Sequence, residues 1–145
     1  MVSLKKYMKE KGYTRIPLRR TKTNHFEVFA RINDVEGRFI LDTGASSTCV
    51  GYDSASLFNL IGEESEVKAS GAGARGMSTQ IAKKNSVSLD KWKKKNIPII
   101  LFNMVHVNAA LTEFNAIPVN GIIGADILKK GKAVIDYDKK CLYMK

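Results

Sequence analysis

Asp42 stands at the end of the apolar run Phe39-Ile40-Leu41 and opens the segment Asp42-Thr43-Gly44-Ala45-Ser46. A carboxylate carried at the end of a buried strand is costly to leave unpaired. No cation is adjacent in sequence, so nearby backbone must supply the donors. Thr43 and Gly44 suit that solution. A hydroxyl can lock the loop, and a missing side chain lets another backbone approach. The chemistry open to such a carboxylate is acid–base work on a bound water. Taken alone the triplet also reads as a plain turn, because Asp and Gly are turn residues. A second pattern lies late in the chain, at Gly121-Ile122-Ile123-Gly124-Ala125-Asp126-Ile127-Leu128, where an apolar pair ends in glycine and a short helix follows. The other reactive side chains form no such pattern. Cys49 and Cys141 are far apart, and His25 and His106 are isolated, so neither a Cys-His nucleophile nor a metal site of ordinary spacing is supported.

The pairing of an apolar strand running into Asp42-Thr43-Gly44-Ala45 with a later Ile122-Ile123-Gly124 plus helix resembles the retropepsin-like aspartic proteases. These are the retroviral proteases and their single-domain cellular and bacterial relatives. The resemblance runs from about Ile16 to Met144, and its elements come in the family's order. It implies a mainly β, closed β-barrel-like acid-protease fold with two or three short helices. By position, Asp42 matches the catalytic aspartate, and Thr43 matches the residue whose hydroxyl grips the partner subunit's loop. Gly44 and Ala45 match the floor of the substrate cleft. The segment Gly71-Ala72-Gly73-Ala74 falls where the family has its flap, and Ile122, Ile123 and Gly124 match the strand wrapping behind the active-site loop. The chain departs from the viral pattern at Ser46 and Ala125, where viral members commonly carry an acid and an arginine that pair near the dimer interface. Both partners are missing together, and Asp126 follows, which looks like the non-viral branch.

Hydrolysis by this chemistry needs two carboxylates sharing one proton. The chain holds one Asp-Thr-Gly, and its later half-motif has no matching aspartate. The second carboxylate is therefore expected from another subunit, in a symmetric homodimer that brings Asp42 to Asp42. The implied activity is an aspartic endopeptidase acting on a peptide or protein, with a glycine-rich flap and no metal or cofactor. The alternative is an inactive peptide-binding or assembly module on the same fold.

The elements that must position these residues can be read from periodicity. Leu4, Tyr7, Met8 and Lys11 have helical spacing between Ser3 as N-cap and Gly12 as stop, so residues 1–13 read as a helical extension before a domain at 14–145. Ile16 and Leu18 alternate with polar neighbours. His25 to Ile32 and Arg38 to Leu41 read as a hairpin around a turn at Asn33 to Gly37. Ser47 to Val50 reads as a strand and Tyr52 to Gly62 as a helix capped by Asp53. Gly71, Gly73 and Gly76 mark a hairpin tip within 64–82. Val87 and Leu89 open another strand, Lys91 to Lys95 reads as a solvated turn, and Pro98 to Phe102 and Met104 to Val107 read as strands. A short helix at Ala125 to Lys130 is closed by Gly131, and Ala133 to Tyr137 with Cys141 to Met144 forms a last hairpin.

Composition sets outer bounds. The chain has 145 residues, 44% of them hydrophobic, which fits one domain with a real core. No stretch approaches the roughly 20 apolar residues of a membrane span, and the N-terminus lacks the apolar core of a secretory signal. A cytoplasmic location is the expectation. The net charge of +10 comes from scattered Lys and Arg. Aromatics are not interleaved with the basic runs as stacking platforms would require, so a nucleic-acid partner is not expected.

Overall fold

The structure, a computed structural model, describes residues 2–71 and 74–145. Helix α1 (Leu4–Glu10) begins at Ser3, whose hydroxyl accepts from the Lys6 amide at 3.1 Å. Its buried Met8 packs on Cys141 and Tyr143. These two belong to strand β11 (Cys141–Met144), which lies between β1 (Thr14–Pro17) and β10 (Val134–Asp136) in a three-stranded antiparallel sheet. All four residues of β11 are buried. Cys141 and Tyr143 face α1, whereas Leu142 and Met144 enter the main core, as the period-two geometry of a strand requires.

Six strands close into a barrel. In order around it they are β3 (Phe26–Ile32), β4 (Val35–Leu41), β9 (Gly121–Ile123), β5 (Cys49–Gly51), β8 (Trp92–Phe102) and β7 (Ala74–Leu89), which returns to β3. Two further strands flank the barrel, β2 (Arg19–Arg20) on β3 and β6 (Glu63–Gly71) on β7. The sides of β4 decide what lies near Asp42. Phe39 and Leu41 enter the main core, and Ile40 points the other way into a smaller cluster with Phe102, Met104, Leu111 and Val119. Leu111 belongs to α2 (Val105–Glu113), so this second cluster seats a helix beside the end of β4. No helix among the described residues is long and apolar enough to cross a membrane.

Several segments differ from the sequence reading. The β3–β4 turn is only Asn33-Asp34, with φ of 51° and 66°, and Ile32 pairs directly with Val35. Two consecutive left-handed residues reverse the chain in the minimum length and match the strand twist, so β4 starts earlier than expected. The expected helix over 52–62 is a single 3-10 turn, Tyr52–Ser54, followed by further turns. Phe58 and Leu60 are both buried, two residues apart, with Asn59 at φ 56° between them. A regular helix would place them on different faces.

Of the Lys-rich segment 91–95 only Lys91 lies in a turn. Asp90, at φ 53°, makes the reversal with Lys91, and the buried Trp92 opens β8 with Lys93 to Lys95 exposed along it. Met104 to Val107, expected as a strand, instead leads into α2. The Asn103 carboxamide oxygen accepts from the Val105 amide at 2.9 Å, and Val107 and Leu111 lie one helical turn apart. A short apolar run does not reveal its period until its partners are known.

The barrel closes where β3 meets β7, and polar side chains fasten that seam. Asn33 accepts from the Ser86 amide (3.1 Å) and donates to the Phe58 carbonyl (2.8 Å) and to the Asn85 side-chain oxygen (3.0 Å). Asn85 is buried where the β7–β8 register shifts, and its amide donates to the Ala82 and Ile97 carbonyls at 2.8 and 3.3 Å. Removing it strands a donor and two acceptors in the interior. Asn85→Ala is expected to lower unfolding free energy by about 1–3 kcal/mol, read from urea denaturation. An unchanged midpoint would show that the seam holds without it.

Candidate active site

Asp42 is the residue after β4, and its amide donates to the Ile123 carbonyl at 3.0 Å. That bond continues the parallel pairing of Phe39, Ile40 and Leu41 with Gly121, Ile122 and Ile123. The carboxylate thus sits beyond the ends of two neighbouring parallel strands, half-buried. The chain then turns at once. The Ala45 amide donates to the Asp42 carbonyl (3.2 Å), and the Gly44 amide donates to Asp42 Oδ1 (2.8 Å). One carboxylate oxygen is therefore held by backbone, and a Cβ on Gly44 would stand 3.2 Å from that same oxygen. Thr43 and Gly44 are exposed, and the Thr43 hydroxyl finds no hydrogen-bond partner among the described residues.

Behind the loop, the Ala125 amide donates to the Ala45 carbonyl at 2.7 Å. Thr48 completes the brace. Its fully buried hydroxyl accepts from the Gly124 amide (3.0 Å) and donates to Asp126 Oδ1 (2.8 Å). Asp126 lies in the first turn of α3 (Ala125–Lys130). Gly124 has no room for a side chain, since a Cβ would come within 2.7 Å of the Ala45 carbonyl oxygen. Gly121 is pressed against the Cys49 carbonyl in the same way. Ile122 is shared, pairing with Ile40 on one side and Cys49 on the other.

So the structure brings Asp42, Thr43, Gly44, Ala45, Ile122, Ile123 and Gly124 into one loop and its backing. Ser46 and Ala125 carry no ion pair, and the threonine–aspartate bond braces the loop within the chain. Thr48 was not singled out from sequence, where it reads as one residue of a short strand. The signal that could have found it is the acid at Asp126, which needs a donor once the helix start is buried.

Of the flap candidates, Gly71 pairs with Ala74 at the end of the β6–β7 hairpin, and Ala72 and Gly73 lie outside the described residues. Strand β7 of that hairpin is tied to the segment after β5 by Tyr52, whose hydroxyl donates to the Ser78 carbonyl at 3.3 Å.

A groove of about 940 Å³ opens beside Asp42. Ile40, Ile122, the α2 residues Val107 and Leu111, and Phe114 just after that helix supply its apolar lining, and Lys22 to His25 line it as well. Cys49 flanks the site, its thiol donating to the Ser47 carbonyl at 3.0 Å. Burial, then the Asp126 and Asp42 carboxylates, push this thiol up to about 12. It is therefore protonated at neutral pH and a poor nucleophile.

A family model described as aspartyl protease matches residues 28–127, from the middle of β3 into α3. The chain belongs to the aspartyl protease family. The matched span carries both Asp42 and the Gly124 backing. Solved structures show the retropepsin-like fold. A retropepsin-like aspartic protease from Rickettsia conorii superposes with a TM-score of 0.62 at 20% identity, covering 91% of this chain and 89% of that one. The EIAV protease complexed with the inhibitor HBY-793 gives 0.56 at 20% identity, over 76% and 90%. The retroviral protease-like domain of Ddi1 from Leishmania major gives 0.50 at 20% identity, over 82% and 84%. No curated protein sequence matches the chain.

Two outcomes follow from the brace. Thr48→Val keeps the shape but leaves the Gly124 amide and Asp126 without their partner, and is expected to cost about 1–3 kcal/mol of stability, measured by urea unfolding. Cys49 has its pKa raised on folding, from an ordinary 9.0 to about 12. The stability tied to its proton is complete below pH 9 and is lost as pH rises toward 12. Wild type should therefore lose more stability than Cys49→Ala across that interval, and parallel pH profiles would refute the assignment.

Proposed function

We propose that this aspartyl protease family member is an aspartic endopeptidase whose working unit is a symmetric homodimer, with Asp42 of each subunit forming one dyad on the two-fold axis. The observation that carries this reading is the state of the Asp42 loop. One carboxylate oxygen is held by the Gly44 amide, and the neighbouring Thr43 hydroxyl is exposed without a partner among the described residues. A hydroxyl left open beside a braced carboxylate suits a contact made by a second copy of the same loop.

In the dyad, like charges at hydrogen-bonding distance cannot both ionise, so two carboxylates share a proton. The ionised one takes a proton from water as it attacks the peptide carbonyl carbon, and the protonated one donates to the carbonyl oxygen. The Gly44 amide keeps the carboxylate in one orientation through both steps, which saves reorganisation during reaction. The β6–β7 hairpin, with its glycine-rich tip sequence Gly71-Ala72-Gly73-Ala74, is the proposed flap. A strand-like cover would exclude water and add backbone hydrogen bonds to an extended peptide. The site so described takes a peptide or protein chain and needs no metal or cofactor.

Peptide cleavage by wild type, Asp42→Asn and wild type with a statine-type transition-state analogue tests the reading. Asn at position 42 should cut kcat by about 10²–10⁴-fold or more, and activity should follow a bell-shaped pH profile with two apparent pKa values. Specific activity should fall on dilution as dimers dissociate. Full activity from a strict monomer in sedimentation would sink the shared dyad, and dimers without any turnover would favour an inactive peptide-binding module.

A further inference from the structure

The groove beside Asp42 has a two-part lining. Its floor is apolar, with Ile40, Leu111 and Ile122 buried or half-buried there. Its rim carries Lys22, His25 and His106, drawn from two different elements, the 21–25 loop and the first turn of α2. Among the described residues Asp42 is the single acid that lines the groove. No carboxylate among the described residues pairs with Lys22 or with either histidine. Among the described residues these rim donors therefore have no acidic partner.

One of them is also oriented. The 21–25 loop is a small closed unit in which the Thr21 amide donates to the His25 carbonyl (2.8 Å) and the His25 amide donates to the Thr21 hydroxyl (3.2 Å). The His25 ring is held through Nδ1, which lies 2.8 Å from the Thr23 hydroxyl. That contact leaves Nε2 without a partner among the described residues. A histidine fixed by one nitrogen presents the other in a defined direction at little entropic cost. A rim of donors over an apolar floor recognises an apolar side chain together with a neighbouring carboxylate.

We propose that this groove selects peptides in which an acidic side chain lies close in sequence to a large apolar one, with Lys22, His25 and His106 as the specificity-determining residues. The proposal rests on the peptidase reading for the substrate's presence in the groove, and on charge complementarity for its chemistry. The apolar side chain sits on Ile40, Leu111 and Ile122, and the carboxylate meets the rim. Successive side chains of an extended strand point to opposite sides. The acidic and apolar positions are therefore set apart by the geometry of the walls, and a positional scan finds their spacing.

The experiment uses pairs of peptides identical except for Glu or Gln, with that residue moved through the positions flanking an apolar site. Cleavage is followed with wild type, and binding with the Asp42→Asn chain by fluorescence anisotropy. Partly exposed charge pairs are weak, so the best Glu peptide should exceed its Gln twin by about 2- to 5-fold. The margin should shrink with salt. The triple variant Lys22→Gln, His25→Gln, His106→Gln should bring the ratio close to one. The pair Lys22→Glu, His106→Glu should turn the preference toward Lys peptides, which a misfolded chain cannot imitate.

Equal handling of Glu and Gln peptides in both assays overturns the proposal, as does a preference that survives the triple variant. Binding preference without cleavage of any peptide supports it and counts against the peptidase reading instead.

Discussion

The close approach of two backbone segments, 45–48 and 121–125, is the constraint on which the site depends. The Ala125 amide reaches the Ala45 carbonyl at 2.7 Å, and the Gly124 amide reaches the Thr48 hydroxyl at 3.0 Å. Neither contact is possible with a side chain at position 124, because a Cβ would collide with the Ala45 carbonyl. Glycine at 121 lets β9 come closer still to the Cys49 carbonyl. This contact presses the loop carrying Asp42 against a rigid layer made by β9 and the start of α3. A carboxylate on a loop so backed keeps its orientation, and preorganised position is what acid–base chemistry most needs.

The same loop shows how the fold handles polarity in its interior. Thr48 is fully buried, yet its hydroxyl both accepts and donates, and Asp126 is satisfied in the same exchange. The seam closed by Asn33 and Asn85 follows the same rule. Among the described residues no buried side-chain nitrogen or oxygen lacks a partner. Polar groups in a barrel of this size are tolerated where they fasten a junction that backbone pairing leaves incomplete, here a register shift and a strand end. The absent pairing between positions 46 and 125 belongs to this account. An ion pair near an exposed loop is worth little, and a buried hydroxyl bridge within the chain braces the same corner.

The helix beside the site comes from the alternation of β4. Because Phe39 and Leu41 turn inward, Ile40 turns outward, and an outward isoleucine needs a cover. Leu111 of α2, with Met104, Phe102 and Val119, provides it. The cover forms one wall of the groove and carries His106 to its rim. A packing requirement at the middle pair of β4 and β9 thus shapes the place where a substrate would lie.

How far the sequence alone reaches can be judged residue by residue. Asp42-Thr43-Gly44 after an apolar strand, and Ile122-Ile123-Gly124 before a helix, were legible because each is a local pattern with a local cause. So were the barrel class, α1 with its Ser3 cap, and the closing hairpin of β10 and β11. The segments misread from sequence are those whose period depends on distant partners. Val105 to Val107 are helical because Leu111 must meet Ile40, and Phe58 and Leu60 leave a helix because the barrel takes both. Thr48, fully buried yet doubly bonded, is invisible without the two segments it joins. Residue types and spacing determined which carboxylate stands at the end of which strand. Only the tertiary structure decided what holds that carboxylate and what faces it, because hydrogen bonds and packing across residues 42 and 123, or 48 and 126, exist only once the chain has closed on itself.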